Sequence, residues 1–503
     1  MDTTKMILPG PTGRTDAEKI KRIELQVHTT KSAEMELPII PVLSAAQAIQ
    51  TAEAWGQEAI AITDRSVLTL PPEACRESKL KIIGGTELYM VNDLDASPAF
   101  HGESNQTIQD EVICIGLEST GLNAKMDRII ELSAVLWRQG EKLADFHSYI
   151  QAEVPELITE LTGITNEMLQ GAPSEEAVLR SFLDFIGDRP LVAHNAEFTE
   201  SFLVQAMQRN GKILQNAWID TLGLAQILLP DLPQYTLQEV CAHLGIETDQ
   251  GSTEAYLVGQ LFSRFAEQLR ELQVQKLSEI NGLMAKLRVG QLPSRKMRPT
   301  PINILVRNQE GLENLLYLLE LSQQRVMRGK PTVLKSEVNK LRNGLLIGSG
   351  TESGELQSRI LRYVKDGIGS MDVLQQVASW YDYLMLQPVS YSETLIRQND
   401  RMATGEELRE ITQMILAIGK SLGKPVCATG NVALLGPEDE AKFRSTYEER
   451  VMLEYDECNL PYLRTTKEML EEFCYFEAAD RHKVVVEDPR LIAASCDDIR
   501  ILS

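Results

Sequence analysis

Residues 112–122 read VICIGLESTGL. The apolar run between Glu111 and Gly116 predicts a hydrophobic strand that opens a module. Working outward, strands are expected at Ile129–Trp137, Phe146–Ile150 and Leu191–His194, with helices completing a module near residue 270. Residues 266–288 carry the pattern of one long amphipathic helix. Upstream, Arg22–His28 alternates polar and apolar residues as a strand does. Ser44–Trp55 reads as a helix stopped by Gly56, and Ala59–Thr63 and Lys81–Ile83 as further strands. Downstream, Asn303–Val306, Gly344–Gly348, Tyr383–Leu386 and Pro425–Ala428 alternate with helices at Gly311–Met327 and Gly405–Leu422. Strands and helices in this alternation imply parallel β/α units on both sides of the central module.

The chain has 503 residues, about three domains' worth at roughly 150 residues each. Fifty Lys and Arg against 72 Asp and Glu leave a formal charge of −22. That charge repels phosphate and disfavours a nucleic-acid coat. No apolar run approaches the roughly 20 residues a bilayer needs, and the first residues have no signal-peptide pattern, so a cytoplasmic protein without a membrane partner is expected. Seven scattered cysteines without a CxxC pair give neither a disulfide framework nor a cysteine zinc site. One basic run, Lys286–Thr300, holds Lys286, Arg288, Arg295, Lys296 and Arg298. It is read first as a solvated linker and second as a phosphate-binding strip.

VICIGLESTGL is followed by LTGIT (161–165), VAHNAEFTESFL (192–203) and IDTLGLAQ (219–226). In this order and spacing the four pieces resemble the proofreading 3′–5′ exonucleases of the DnaQ-like, DEDDh group, with an RNase H-like fold. That family hydrolyses phosphodiesters with two metal ions about 4 Å apart, held by carboxylates, while a histidine takes the proton of the attacking water. The resemblance puts the first acidic pair at Gly116 and Glu118, the second motif's acid at Thr199, and the last base–acid pair at Asp249 and Glu254. Glycine has no ligand atom and threonine is a weak one. A loss of hydrolysis is therefore expected, with Glu197, Glu200 or Asp249 as the substitutes that would rescue it. His194 and Asn195 belong to the turn before a helix, and Asp220 is read as a helix cap.

The flanks, RIELQVHTTKS (22–32), AIAITDRSV (59–67) and IIGGTELYMV (82–91), and later RPTPINILVRNQEGLENLLYLLELS (298–322), GLLIGSG (344–350), YDYLMLQP (381–388) and PVCATGNVALL (425–435), resemble the two halves of a PHP (polymerase and histidinol phosphatase) domain. A PHP domain split by an exonuclease is the layout of the PolC-type DNA polymerase III alpha subunits, which the chain resembles over roughly residues 20–500. The implied fold is α/β, a PHP-type (β/α)7 barrel interrupted by an RNase H-like domain. The parts are an arm (1–19), the first PHP half (20–94), a linker (95–109), the exonuclease domain (110–270), a helical and basic linker (271–297), the second PHP half (298–440) and an extension toward the polymerase core (441–503). PHP sites hold two or three metals on imidazoles and carboxylates. The resemblance maps them onto Gln26, His28, Asp64, Arg65, Glu87, Pro301, Thr351 and Ala433, of which only His28, Asp64 and Glu87 are ligands. Arg65 places a cation where a metal is implied and is expected to pair with Asp64 or Glu87. With no polymerase palm or fingers read in residues 1–503, polymerisation by them is not expected.

These readings lead to a non-catalytic relative acting as a scaffold or accessory factor in DNA replication or repair. Its expected partner is protein, a replication-type polymerase or accessory factor, and no cofactor is expected. The first alternative is an active exonuclease using Glu118, Asp249 and Glu254 with Mg²⁺ or Mn²⁺. The second is a non-cleaving single-stranded DNA binder using His194, Asn195, Lys286, Arg288, Arg295, Lys296 and Arg298.

Overall fold

The computed structural model describes residues 13–32, 41–94, 99–247, 252–288, 298–351, 353–390, 404–439 and 461–502. Its strands, in chain order, are β1 (Ala59–Ile62), β2 (Lys81–Val91), β3 (Phe100–His101), β4 (Val112–Ser119), β5 (Ile129–Arg138), β6 (Glu141–Tyr149), β7 (Leu191–Ala193) and β8 (Trp218–Asp220). They continue as β9 (Thr300–Val306), β10 (Val326–Met327), β11 (Lys330–Leu334), β12 (Leu345–Gly348), β13 (Leu384–Leu386) and β14 (Val426–Ala428). The chain is mixed α/β and divides into two compact units. One comprises Met1–Val91, Arg295–Val364 and Met371–Ser503; the other comprises Asn92–Ser294 and Lys365–Ser370.

In the first unit the long strand β2 is the spine. Its N-terminal half pairs parallel with β1 and its C-terminal half parallel with β11, while its other edge pairs antiparallel with β9. β12 extends this sheet beyond β9, and β13 and β14 form a separate parallel pair. Among the described residues these ladders do not form a closed barrel. Helix ends follow local chemistry. Ser44 and Gln47 form a capping box for the helix Ala45–Ala54. The helix Gly405–Leu422 starts at the Thr404–Glu407 box and ends on left-handed Gly423.

Arg22–His28 differs from expectation. It makes only isolated bridges, Glu24 to Ile60 and Val27 to Val432, rather than a ladder. Its polar residues are as buried as its apolar ones: Arg22, Glu24, Gln26 and His28 are all 0% exposed. The alternation does not separate core from solvent. It separates an apolar core from an internal polar network in which Arg22 pairs with Glu24 at 2.8 Å.

The second unit holds one six-stranded sheet in the order β3-β8-β7-β4-β5-β6. β4, β5 and β6 are antiparallel, and β7 and β8 run parallel to β4. Val112–Ile115 is fully buried, because helices cover both faces of β4. The segment expected as a linker, 95–109, is more than a tether where it is described. Phe100–His101 pairs with β8, and Ala99, Phe100 and Ile108 join the core. Too few apolar anchors were visible in it because three suffice for so short an edge.

The single helix expected at 266–288 is broken. The helix Glu254–Glu271 ends at Leu272, Gln273 takes a left-handed φ of 66°, and a new helix runs Ile280–Arg288. Leu269, Val274, Leu277, Ile280 and Met284, on both sides of the break, all enter one core. Among the described residues no helix is long and apolar enough to cross a membrane.

Candidate active site

The site implied by the exonuclease resemblance lies on β4 and the N-terminus of the helix Glu254–Glu271. β4 extends beyond β7, whose pairing stops at Cys114–Val192, so the far end of β4 lacks a strand partner on that edge. The Glu254 carboxyl lies at this gap, where the Leu117 N–H opposes the rise that burial gives its pKa. Thr253 fixes the helix start by accepting from the Tyr256 N–H.

This docking uses the absence of a side chain at 116. A β carbon on Gly116 would lie 2.5 Å from Glu254 Cβ and 2.8 Å from the Ala255 backbone N. Position 116 thus supplies no ligand and has no room for one. Glu118 stands directly opposite Glu131 on β5, and like charges in that register are destabilising. Burial and Glu131 raise the Glu118 carboxyl above its ordinary range. Burial, then Glu118, push Glu254 up to about 8 against the opposing Leu117 bond. His147 on β6 partly offsets the crowding, with Nε2 2.7 Å from Glu131 Oε1. Glu131 and His147 escaped the sequence reading, because strand register brings them beside Glu118 and register has no signature in a short motif.

The remaining positions are occupied by local roles. Thr199 is buried within the helix Ala196–Arg209. Glu200 pairs with His101, Nε2 to Oε2 2.7 Å. His194 uses both ring nitrogens, Nδ1 to Thr221 Oγ1 at 3.0 Å and Nε2 donating to the Tyr235 carbonyl at 2.8 Å. Its burial lowers its pKa. An imidazole so engaged is held in one tautomer and is unsuited to take a proton from water. Asn195 has a left-handed φ of 71°, and its N–H donates to Asp220 Oδ1. Asp220 also caps the helix Thr221–Leu228 through the Leu222 N–H, as the sequence indicates. Lys286 and Arg298 are exposed, and Arg288 ends its helix. Asp249, Arg295 and Lys296 lie outside the described residues.

The positions implied by the PHP resemblance form a second, interior cluster in the first unit. Glu87 on β2 is its centre. Arg65 Nε donates to Glu87 Oε1 at 3.0 Å and Gln26 Nε2 to Oε2 at 2.9 Å, with His28 Nε2 at 3.6 Å from Oε2. Arg65 therefore chooses Glu87 over Asp64. Asp64 instead accepts from the Thr29 N–H, Thr29 Oγ1, Ser32 Oγ and Thr69 Oγ1. His28 Nε2 bonds Asn431 Oδ1 at 2.9 Å, and Thr429 Oγ1 donates to Gln26 Oε1 at 3.2 Å. Burial and then Arg65 lower His28 to about 4, so the ring is neutral. Burial alone would raise Glu87, yet Arg65 and its other donors bring it below the usual carboxylate range.

Pro301 sits on β9 opposite Tyr89, Thr351 is buried with its carbonyl accepting from the Gly354 N–H, and Ala433 is buried with its N–H donating to the Pro461 carbonyl. Proline and alanine side chains hold no ligand atom. Among the described residues no group of three or more His, Cys, Asp or Glu side chains is arranged to hold a metal ion. With no side chain at 116 and both Glu87 oxygens taken, the donors described do not fit the metal sets that the two resemblances imply.

The family model described as "Exonuclease" matches residues 113–251. DNA polymerase III PolC-type of Clostridium perfringens is 33% identical over 499 residues, covering 97% of this chain and 33% of the relative. The PolC-type chain of Caldanaerobacter subterraneus subsp. tengcongensis is 34% identical over 508 residues, covering 99% and 35%. A solved nuclease domain of a DEDDh family member bound to rAMP is 19% identical with a TM-score of 0.28, covering 32% of this chain and 93% of that one. This chain spans about a third of the length of the curated relatives it matches. Across nearly all its residues the chain is similar to a stretch of the PolC-type DNA polymerase III chains, and residues 113–251 match the exonuclease family model.

Proposed function

We propose that this chain is a non-hydrolysing PHP and exonuclease relative that serves as a protein scaffold or accessory factor in DNA replication or repair. The observation that carries the reading is the contact of Gly116 with Glu254. Two-metal hydrolysis needs a bridging carboxylate at that end of β4, and the stem of Glu254 occupies the volume it would take. The PHP-type barrel belongs to the same proposal. Its support is the set of isolated parallel bridges, Glu24–Ile60, Val27–Val432 and Gly348–Tyr383, which lie between the sheet of β1, β2, β9 and β12 and the pair β13–β14. The charge of −22 favours a protein partner, a replication-type polymerase or accessory factor, over DNA, in the cytoplasm.

The test is a nuclease assay on 3′-labelled single-stranded and mismatched duplex DNA, with Mg²⁺ and Mn²⁺ in separate reactions. The Glu118→Ala/Glu254→Ala double variant is the blank. No cleavage above the blank is expected. Cleavage above it overturns the proposal and makes the chain a 3′–5′ exonuclease with atypical ligands. The scaffold half is tested by size-exclusion co-elution with a replicative polymerase chain, where separate elution at micromolar concentrations counts against it.

A further inference from the structure

Four separate stretches of chain meet at Glu87. Arg65 arrives beside it through a backbone bridge, with the Ser66 N–H donating to the Glu87 carbonyl and the Glu87 N–H to the Asp64 carbonyl. Gln26 and His28 come from the buried segment near the N-terminus, and Thr429 and Asn431 from the loop after β14. Two of these segments, 26–28 and 429–432, are also tied by backbone bonds, His28 N–H to the Val432 carbonyl at 2.7 Å and Val432 N–H to the Gln26 carbonyl at 3.0 Å. Arg65 is 7% and Glu87 5% exposed, and Gln26 and His28 are fully buried.

The resemblance implies metal ions here, and the residues do not accept them. Each Glu87 oxygen already holds a donor, and Asp64 is saturated by one N–H and three hydroxyls. A divalent cation would have to displace a guanidinium whose charge does not dissociate at any working pH. We propose that Arg65 is a built-in replacement for the metal: its guanidinium clasps Glu87 and so holds the segments 26–28, 64–66, 87 and 429–432 together without any bound ion. The inference does not rest on the scaffold reading, since a metal-free clasp is compatible with any activity elsewhere in the chain.

The physics makes the clasp one-sided. A buried pair adds little over an apolar substitute, but removing one partner strands the other charge without solvent. Removing Arg65 alone should therefore hurt more than removing Arg65 and the Glu87 charge together. The experiment measures thermal unfolding of the full chain as wild type, Arg65→Ala, Arg65→Lys and Arg65→Ala/Glu87→Gln. Metal content of the wild type, purified without chelator, is measured by mass spectrometry. The expected results are no stoichiometric metal, a Tm that EDTA leaves unchanged, and a fall of roughly 5–10 °C in Arg65→Ala. The double variant should recover at least half of that fall. Should Arg65→Ala not fold, Arg65→Lys, which keeps the charge and loses the planar fork, should fold with a smaller drop. Stoichiometric metal, a Tm lowered by EDTA, an unshifted Arg65→Ala, or a double variant no more stable than the single would each overturn the proposal.

Discussion

At the scale of single residues, Gly116 and Glu254 behave as one unit. The glycine lets the helix N-terminus approach β4, so that the stem of Glu254 takes the space a side chain at 116 would fill. Gly116→Asp is expected to destabilise the chain by about 1–3 kcal/mol through overpacking and to leave DNA uncleaved. Denaturant unfolding and the nuclease assay check both parts. Glu254 also makes stability depend on pH. Its carboxyl is raised from 4.5 to about 8 in the folded state, so between those values the folded chain holds a proton that the unfolded chain has lost. Stability contributed at this site therefore declines as pH rises from about 4.5 to about 8. Glu254→Gln should flatten that decline, and in chelator at pH 8.5 it should unfold at higher denaturant than wild type. An equal slope with pH in both proteins would contradict the assignment. Glu118 and Glu254 could be named from motif spacing, whereas Glu131, which raises both carboxyls, and its partner His147 depend on the register of β4, β5 and β6.

At the scale of elements, helix starts were legible and helix ends less so. Caps are local chemistry, a hydroxyl accepting from an N–H three residues on. Ser44 and Thr404 act in that way at starts the sequence located, and Thr253 does so at one it did not, since the expected helix began at 266. Thr253→Ala is expected to cost about 1 kcal/mol, read as a shift in the unfolding midpoint, and it frays the turn that carries Glu254. The break at Gln273 was not legible. Residues 266–288 keep helical periodicity across the bend, because Leu269, Val274 and Leu277 on either side of left-handed Gln273 still reach one core, so the pattern carries no mark of the break. The polar face of Arg22–His28 was misleading for the opposite reason. Alternation ordinarily marks a solvent side, and here both sides are interior.

At the scale of the whole molecule, charge dominates. Fifty basic and 72 acidic side chains give −22, while affinity for DNA depends on cations displacing counterions from phosphate. Single-stranded DNA is expected to bind more weakly than the 10⁻⁴ to 10⁻⁶ M range of ordinary non-specific binders at physiological salt. Fluorescence anisotropy checks this, and a salt-sensitive micromolar affinity would favour the DNA-binding alternative instead.

What the sequence by itself determined was most of the elements and the resemblance. Apolar runs, cap residues and motif order are properties of neighbours along the chain, and they led to the central sheet and to the PolC-type resemblance. What only the tertiary structure decided was the partnership of charges. Arg65 had two acids within sequence reach of a pairing, and the bridge between residues 65 and 87 chose Glu87, while the hydroxyls of Thr29, Ser32 and Thr69 took Asp64. An ion pair's partner is set by distance and desolvation in three dimensions, and neither is written in the order of residues along one strand.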